Sequence, residues 1–512
     1  MKSRHAWFRD PVLWCCLAIG AVFLFVRLGQ MLLWQDEAET AVLARNILRF
    51  GFPRAFDGLN LVFDPQGYGA NYAWLYHPWA SLYLTAAFFK LFGATTWAAR
   101  APYALLGWLG ILLTYLLARG VSRRLSVRRW SMVSLVVCVP FFLYMRQCRY
   151  YAPSLTLGLA WLLAYRCWVE DRPWSTSLLV MAGALLFHTN YGVAVPFGAA
   201  AVLDWWIGYR HRMPWRRPLA VLLAIGLLTV PWFWYLQGWR HATAQPSWHH
   251  VRQHAEFYLR MTNKYFLPLA FWAAVLIYRR WRHHRWLWNA SALQIDHSVL
   301  RLGALTIGVT LLFVLLPEQR HVRYLVPLIP LWLIGQALLL DDWIRHRRWV
   351  GVAVAVLVLG TNLFSGARLR VPLTDFFYEL GHDYHGPNEA IVQYLNTHAK
   401  PGEQVKTPYD ERVIIFYTRL AVEPPNAIGP SNPFARETYP KWLVPRAGRL
   451  RQDFWQTPYG RRIRREYEEI PLAAVDLLWD NLPDPNEHHF RTVTDGPEVV
   501  IYRKRSNFPG ES

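Results

Sequence analysis

Apolar positions along this chain fall into long unbroken runs rather than into alternating or helically spaced stripes. Runs at 12–34, 101–119, 130–146, 150–168, 174–190, 191–208, 217–237, 264–279, 299–317, 323–341 and 348–365 are each long enough to cross a bilayer as a helix. They predict a polytopic α-helical membrane protein with about eleven transmembrane helices. The stretch 78–93 is short for a span and suits an interfacial or re-entrant helix. Residues 1–365 form the transmembrane domain on this reading, with a long first loop at 35–100. Residues 366–512 change character. Pro387-Asn388-Glu389 opens a helical pattern with Ile391, Val392 and Leu395 on one face, closed by Pro401-Gly402. Short β-like runs at 412–418, 473–479 and 498–503 follow, which predicts a small C-terminal α/β domain.

Charge gives the runs an orientation. The net charge is +21, and its excess lies in residues 1–365, with 36 Lys and Arg against 14 Asp and Glu; the remainder carries 19 against 20. The positive charge therefore belongs to the membrane half, and no motif for nucleic acid accompanies it. With 78–93 left out of the count, alternate loops carry Arg119, Arg123, Arg124, Arg128 and Arg129, then Arg210, Arg212, Arg216 and Arg217, then Arg279, Arg280, Arg282 and Arg285, then Arg345, Arg347 and Arg348. Basic loops stay on the cytoplasmic side. The N-terminus is thus expected in the cytoplasm and the C-terminal domain outside, in the periplasm of a bacterial inner membrane. The first run, preceded by Lys2, Arg4 and Arg9, is expected to stay as a signal anchor. Many of the 28 Trp sit at run ends, at headgroup depth. The five cysteines lie in or beside apolar runs and predict neither disulfides nor a metal cluster.

On the outer face this topology gathers carboxylates, histidines, tyrosines and arginines. Asp36 and Glu37 open a helical pattern just after the first run. An acidic pair there is either an N-cap favoured by the helix dipole or a general base at the membrane surface, and alone it favours neither. Arg146 and Arg149, with Tyr150, occupy one short turn, and Arg320, His321, Arg323 and Tyr324 another. Such arginines either hold lipid headgroups or clamp one phosphate. His188 and Tyr191 cap another span end, as site residues or as structure. His249, His250, His254 and Glu256 have helical spacing, for which a solvated histidine cluster is preferred over a metal site. No metal and no cofactor is expected.

Taken together, Trp34-Gln35-Asp36-Glu37-Ala38, the Ala44-Arg45-Asn46-x-Leu48 helix, Leu91-Phe92-Gly93 with Ala98-Ala99-Arg100, Arg149-Tyr150 and the run from Arg323 to Pro330 resemble the GT-C glycosyltransferases, in the branch of protein O-mannosyltransferases and aminoarabinose transferases. The resemblance covers most of the membrane half and is weak beyond it. It implies inverting transfer of a sugar from a polyprenyl-phosphate donor to a hydroxyl of a glycan, lipid or protein acceptor. Asp36 matches the position of the catalytic carboxylate and would deprotonate or orient the acceptor hydroxyl, and Glu37 would hold the geometry or the acceptor. Arg149 and Arg323, with Arg146, Arg320 and His321, would neutralise the departing phosphate, and Tyr150, Tyr191 and Tyr324 would pack on sugar or donate hydrogen bonds. His77 stands where relatives often carry a Lys-Pro pair; it replaces that contact or the contact is absent. No second Asp follows the Arg149 turn, and no Asp-x-Asp motif exists, which disfavours metal-dependent transfer. A transporter or flippase, and a noncatalytic envelope scaffold, are the competing classes. Ionisable groups at span ends rather than midplane argue against transport.

Overall fold

The computed structural model describes residues 6–64, 67–241, 247–284, 286, 293–366, 368–423 and 438–505. The fold is mostly helical, with one small sheet near the C-terminus. Its contacts divide into two compact units. One comprises Met1–Val26, His77–Ser81 and Ala101–Leu380, and the other Arg27–Tyr76, Leu82–Arg100 and Gly381–Ser512.

The first unit carries the apolar helices. Among the described residues, Thr96–Val121, Arg216–Tyr235 and Val322–His346 are long and apolar enough to cross a membrane. A fourth candidate is the pair Leu125–Val136 and Val139–Met145, bent by 64°. Pro140 at the start of the second member has no N–H to extend the first, which accounts for the break. Pro11–Phe25, Ser175–Phe187, His297–Phe313 and Arg348–Gly360 are apolar but shorter. The first expected span is one of these. Its helix ends at Phe25 instead of running to 34, because Arg146 takes the carbonyls of Phe23 (2.6 Å) and Val26 (3.0 Å) that a continuing helix would have used.

Several charges buried among these helices are paired. Arg279 bonds Asp342 at 2.8 Å, and Arg301 bonds Asp204 at 2.6 Å beside the Tyr165 hydroxyl. Asp10 caps its own helix through the Val12 N–H while accepting from Arg129 at 3.0 Å. Each pair offsets a desolvation cost that neither partner could bear alone.

The second unit is built around a five-stranded sheet in the order β2-β1-β3-β5-β4. Here β1 is Gln404–Lys406, β2 Ala421–Val422, β3 Trp442–Leu443, β4 Tyr467–Val475 and β5 Glu498–Lys504. The first three strands run parallel and the last two pair antiparallel. Leu443, Phe454, Tyr459, Ile463, Tyr467 and Tyr502 form the core on one side. The expected helix over 387–398 is present, as is the strand at 498–503. The expected strand at 412–418 is instead a helix, Glu411–Tyr417. Its β-branched run suits a strand locally, but Asp410 just before it has a left-handed φ of 62°, and Val413, Ile414, Ile415 and Phe416 are buried together by tertiary packing.

Arg446 is buried in this unit, where it bonds Asp410, Asp476 (2.6 Å) and the Leu477 carbonyl. Burial pushes the Asp410 carboxyl up to about 6 in spite of Arg446 beside it. Replacing Arg446 with Ala strands two carboxylates in a dry core. The expected loss is about 3–5 kcal/mol, read as a lower thermal midpoint of the purified protein in detergent.

Candidate active site

The helix Gln35–Phe50 begins the candidate site. Trp34 is its N-cap residue, and the Glu37 side chain reaches back to the Trp34 N–H at 3.4 Å, one arm of a capping box. The helix stops at Gly51, whose φ of 83° lets its N–H return to the Ile47 carbonyl at 2.8 Å. Asp36 and Glu37 thus sit in the first turn, where the helix dipole favours negative charge. The two carboxylates have different surroundings. Glu37 is completely buried, whereas Asp36 is half-buried.

Arg100 explains the burial of Glu37. Its Nε donates to Oε1 at 2.9 Å and its Nη2 to Oε2 at 2.6 Å, a two-pronged contact. The remaining N–H groups donate to the carbonyls of Leu28 (3.1 Å), Met31 (2.8 Å) and Leu32 (3.0 Å). The guanidinium therefore holds both the carboxylate next to Asp36 and the chain leading into the helix. Sequence reading quoted Arg100 in a motif and gave it no role. The available signal was a lone arginine entering an apolar run, which demands a buried partner.

Around this turn lies a second layer of charge. Gln35 Nε2 donates to Glu411 at 2.7 Å, and Arg412 bonds Glu39 and, at 3.2 Å, the Phe63 carbonyl. Tyr409 feels the charge of Asp36. Its hydroxyl is pushed well up, first by burial, then by Asp410 and Asp36. Burial with these carboxylates keeps the hydroxyl neutral, a feature that composition and spacing did not reveal.

The remaining candidates all fall in the other unit. Arg146 is spent on the carbonyls described above. Arg149 is buried, with its guanidinium 5.5 Å from the centre of the Tyr150 ring. Tyr150 precedes the helix Tyr151–Val169 as its N-cap residue and packs on Tyr151 at 4.9 Å. Arg323 stands 5.9 Å from the Tyr324 ring, which also meets His321 at 5.6 Å. Arg320 lies over Phe257 at 5.5 Å. His77 approaches the Pro78 carbonyl at 3.4 Å. His188 lies 3.0 Å from the Leu228 carbonyl through Nε2, and Tyr191 packs between Phe187 and Phe233 at 4.8 and 5.2 Å.

Helix Trp248–Tyr265 joins the Arg320–Tyr324 turn, which the sequence did not foretell. His250 packs on His254 at 3.9 Å with the rings tilted by 32°, and lies 3.0 Å from the Pro317 carbonyl through Nε2. Tyr258 is buried close enough to Arg320, Arg323 and Tyr324 to feel their charges. Among the described residues no group of three His, Cys, Asp or Glu side chains converges as a metal site. The candidates thus form a carboxylate set in one unit and a cationic set in the other.

Arg100→Ala leaves Glu37 charged in a dry pocket and takes the guanidinium donor from the Leu28 and Met31 carbonyls, while the Leu32 carbonyl keeps Asn481. A loss of about 3–5 kcal/mol is expected, with Glu37→Gln in the same chain restoring part of it. Thermal unfolding of both single variants and the double variant measures the coupling.

No family model and no curated protein matches the chain. Among solved structures, it is similar to ArnT from Cupriavidus metallidurans bound to undecaprenyl phosphate, with 15% identity, a TM-score of 0.60, and coverage of 98% of this chain and 99% of that one. The apo state of the same enzyme matches at 14% identity and a TM-score of 0.56, over 98% of each chain. At such identity the likeness is one of fold, and the chain shares the fold of ArnT over nearly its whole length.

Proposed function

We propose that this chain is an inverting membrane glycosyltransferase that moves a sugar from a polyprenyl-phosphate donor to an acceptor hydroxyl on the external face of the membrane. The observation that carries the reading is the fold shared, end to end, with a transferase seen with undecaprenyl phosphate bound. Fold alone does not fix function, so the chemistry must come from the site. A half-buried carboxylate stands in the first turn of a helix, beside a second carboxylate locked by Arg100. That pairing suits a general base whose orientation must not drift.

In the reaction, Asp36 takes the proton from the acceptor hydroxyl. The freed oxygen forms a bond to the anomeric carbon from the face opposite the phosphate. The bond between that carbon and the phosphate oxygen breaks, and the electron pair leaves with polyprenyl phosphate. Arg149 and Arg323, supported by His77, Arg320, His321 and the tyrosines 150, 191 and 324, stabilise the charge that grows there. Arg146, committed to two carbonyls, holds the turn that presents Arg149, and His188 holds the neighbouring span end. Glu37 keeps the Asp36 turn in place. No cofactor enters. About eleven crossings, a cytoplasmic N-terminus and an external C-terminal segment complete the arrangement. A bacterial inner membrane fits it.

The test uses purified full-length protein with a panel of radiolabelled polyprenyl-phosphate monosaccharides and extracted envelope material as acceptor. Label is expected to reach the acceptor from one donor. Asp36→Asn is expected to lower the rate by about 10²–10⁴-fold in a folded protein. Arg323→Ala is expected to lower it by about 10²-fold, mainly in kcat. Transfer that survives in Asp36→Asn removes the base from this position. Absence of transfer from every donor, by folded wild type, sinks the enzyme reading.

A further inference from the structure

Asp36 is preceded by a short stretch of irregular chain, and side chains from residues 381–512 hold that stretch by its backbone. Glu389 Oε1 accepts from the Leu32 N–H at 2.8 Å. Asn481 Nδ2 donates to the Leu32 carbonyl at 2.8 Å, a carbonyl that also accepts from Arg100. The Tyr417 hydroxyl accepts from the Leu33 N–H at 3.0 Å and lies 2.7 Å from the Thr96 hydroxyl. Both polar groups of Leu32 are thus fixed from afar, one helical turn ahead of Asp36.

Glu389 is not a solitary acceptor. Its Oε2 is enclosed, and Asp480 beside it is 2% exposed. A methyl group built on Gly386 would stand 2.3 Å from Asp480 Oδ2 and 2.9 Å from Glu389 Oε2. The two carboxylate oxygens therefore converge over the same glycine. The other Asp480 oxygen accepts from the Tyr384 hydroxyl. The charged groups that bear on the pair are Arg100 on Glu389, and Arg446 and Asp410 on Asp480. Arg446 is itself committed to Asp410 and Asp476.

We propose that Glu389 and Asp480 share one proton and together act as a positioning pair for the loop that carries Asp36. Two carboxylates this close in a dry site do not both ionise without cost. Burial raises Glu389, against the pull of the Leu32 N–H. Burial first, and then the charge of Glu389, push Asp480 up to about 7. Both groups hold their proton more tightly in the folded chain than in the unfolded one. Their contribution is therefore complete below the ordinary carboxylate range and is lost as pH rises through neutrality. Above that range the second negative charge repels the first, and Glu389 is the member that holds Leu32. The pair does no chemistry on substrate; it acts through Asp36, and so rests on the reading of Asp36 as the base.

The test measures backbone hydrogen exchange, by mass spectrometry, in the peptide spanning residues 30–39 of the full-length protein, from about pH 6 to about pH 9 with the intrinsic rate divided out. In wild type, protection is expected to fall by at least about tenfold over that range. Glu389→Gln keeps an acceptor for Leu32, offers an amide donor to Asp480 and removes the second charge, so its protection is expected to stay flat. Asp480→Asn is expected to do the same, and Glu389→Ala to lose protection at every pH. In the transfer assay, the alkaline fall in kcat is expected to move to higher pH in Glu389→Gln, with KM unchanged. Equal exchange slopes in wild type and both amide variants overturn the pair, whatever the activity. A flat slope in the variants and a falling one in wild type, with no sugar transferred by any protein, upholds the pair and removes only the enzyme reading.

Discussion

Glu37 is a carboxylate with no access to water, and everything near Asp36 follows from how that charge is met. Arg100 meets it with two N–H groups and has three left over. Those three must also be satisfied in a dry place, and the carbonyls of Leu28, Met31 and Leu32 satisfy them. Carbonyls bound to a guanidinium are not available to a helix, so the chain runs irregularly here until Trp34 starts a new helix. A single ion pair therefore fixes the shape of the loop, the entry of the helix and the position of the residue beside it. The arrangement costs much to disturb and little to maintain, as expected of a buried pair whose every proton has an acceptor.

The same logic recurs among the apolar helices, with a different result. Arg279 with Asp342, and Arg301 with Asp204 and Tyr165, join helix to helix without reaching irregular chain. Arg146 is intermediate, since it closes one helix by taking its last carbonyls. Arg149, Arg320 and Arg323 lie against aromatic rings, as Arg279 and Arg301 also do. A ring face attracts a cation without removing its capacity to donate hydrogen bonds.

Much of this was legible in the sequence, and the rest was hidden for definite reasons. Apolar runs located the helices, because burial in lipid or protein writes itself as length. The Asp-Glu entry at 36 and 37 located a helix start, because caps and dipoles are local. The break after Phe25 was not legible, because its cause is Arg146, about 120 residues away. The helix at Glu411–Tyr417 was read as a strand, because Val413, Ile414 and Ile415 are β-branched and their burial is set by distant partners. Arg100 and Tyr409 escaped notice because each acquires meaning only from a carboxylate brought to it by folding. Glu389 and Asp480, the least conspicuous of all, carry no motif.

The bond from Leu32 to Glu389 spans 357 positions of sequence. A ribosome working at about 5–20 residues per second needs roughly 20–70 s to travel that distance. During that interval the first loop is already made and waits without Glu389, Tyr417 and Asn481. Synthesis thus imposes an order. The apolar helices come to rest first, and a chain halted before Glu389 emerges has Arg100 on Glu37 but lacks the side chain that accepts from the Leu32 N–H. The long separation in sequence works as a clock that delays the last contacts of this turn until the molecule is nearly complete.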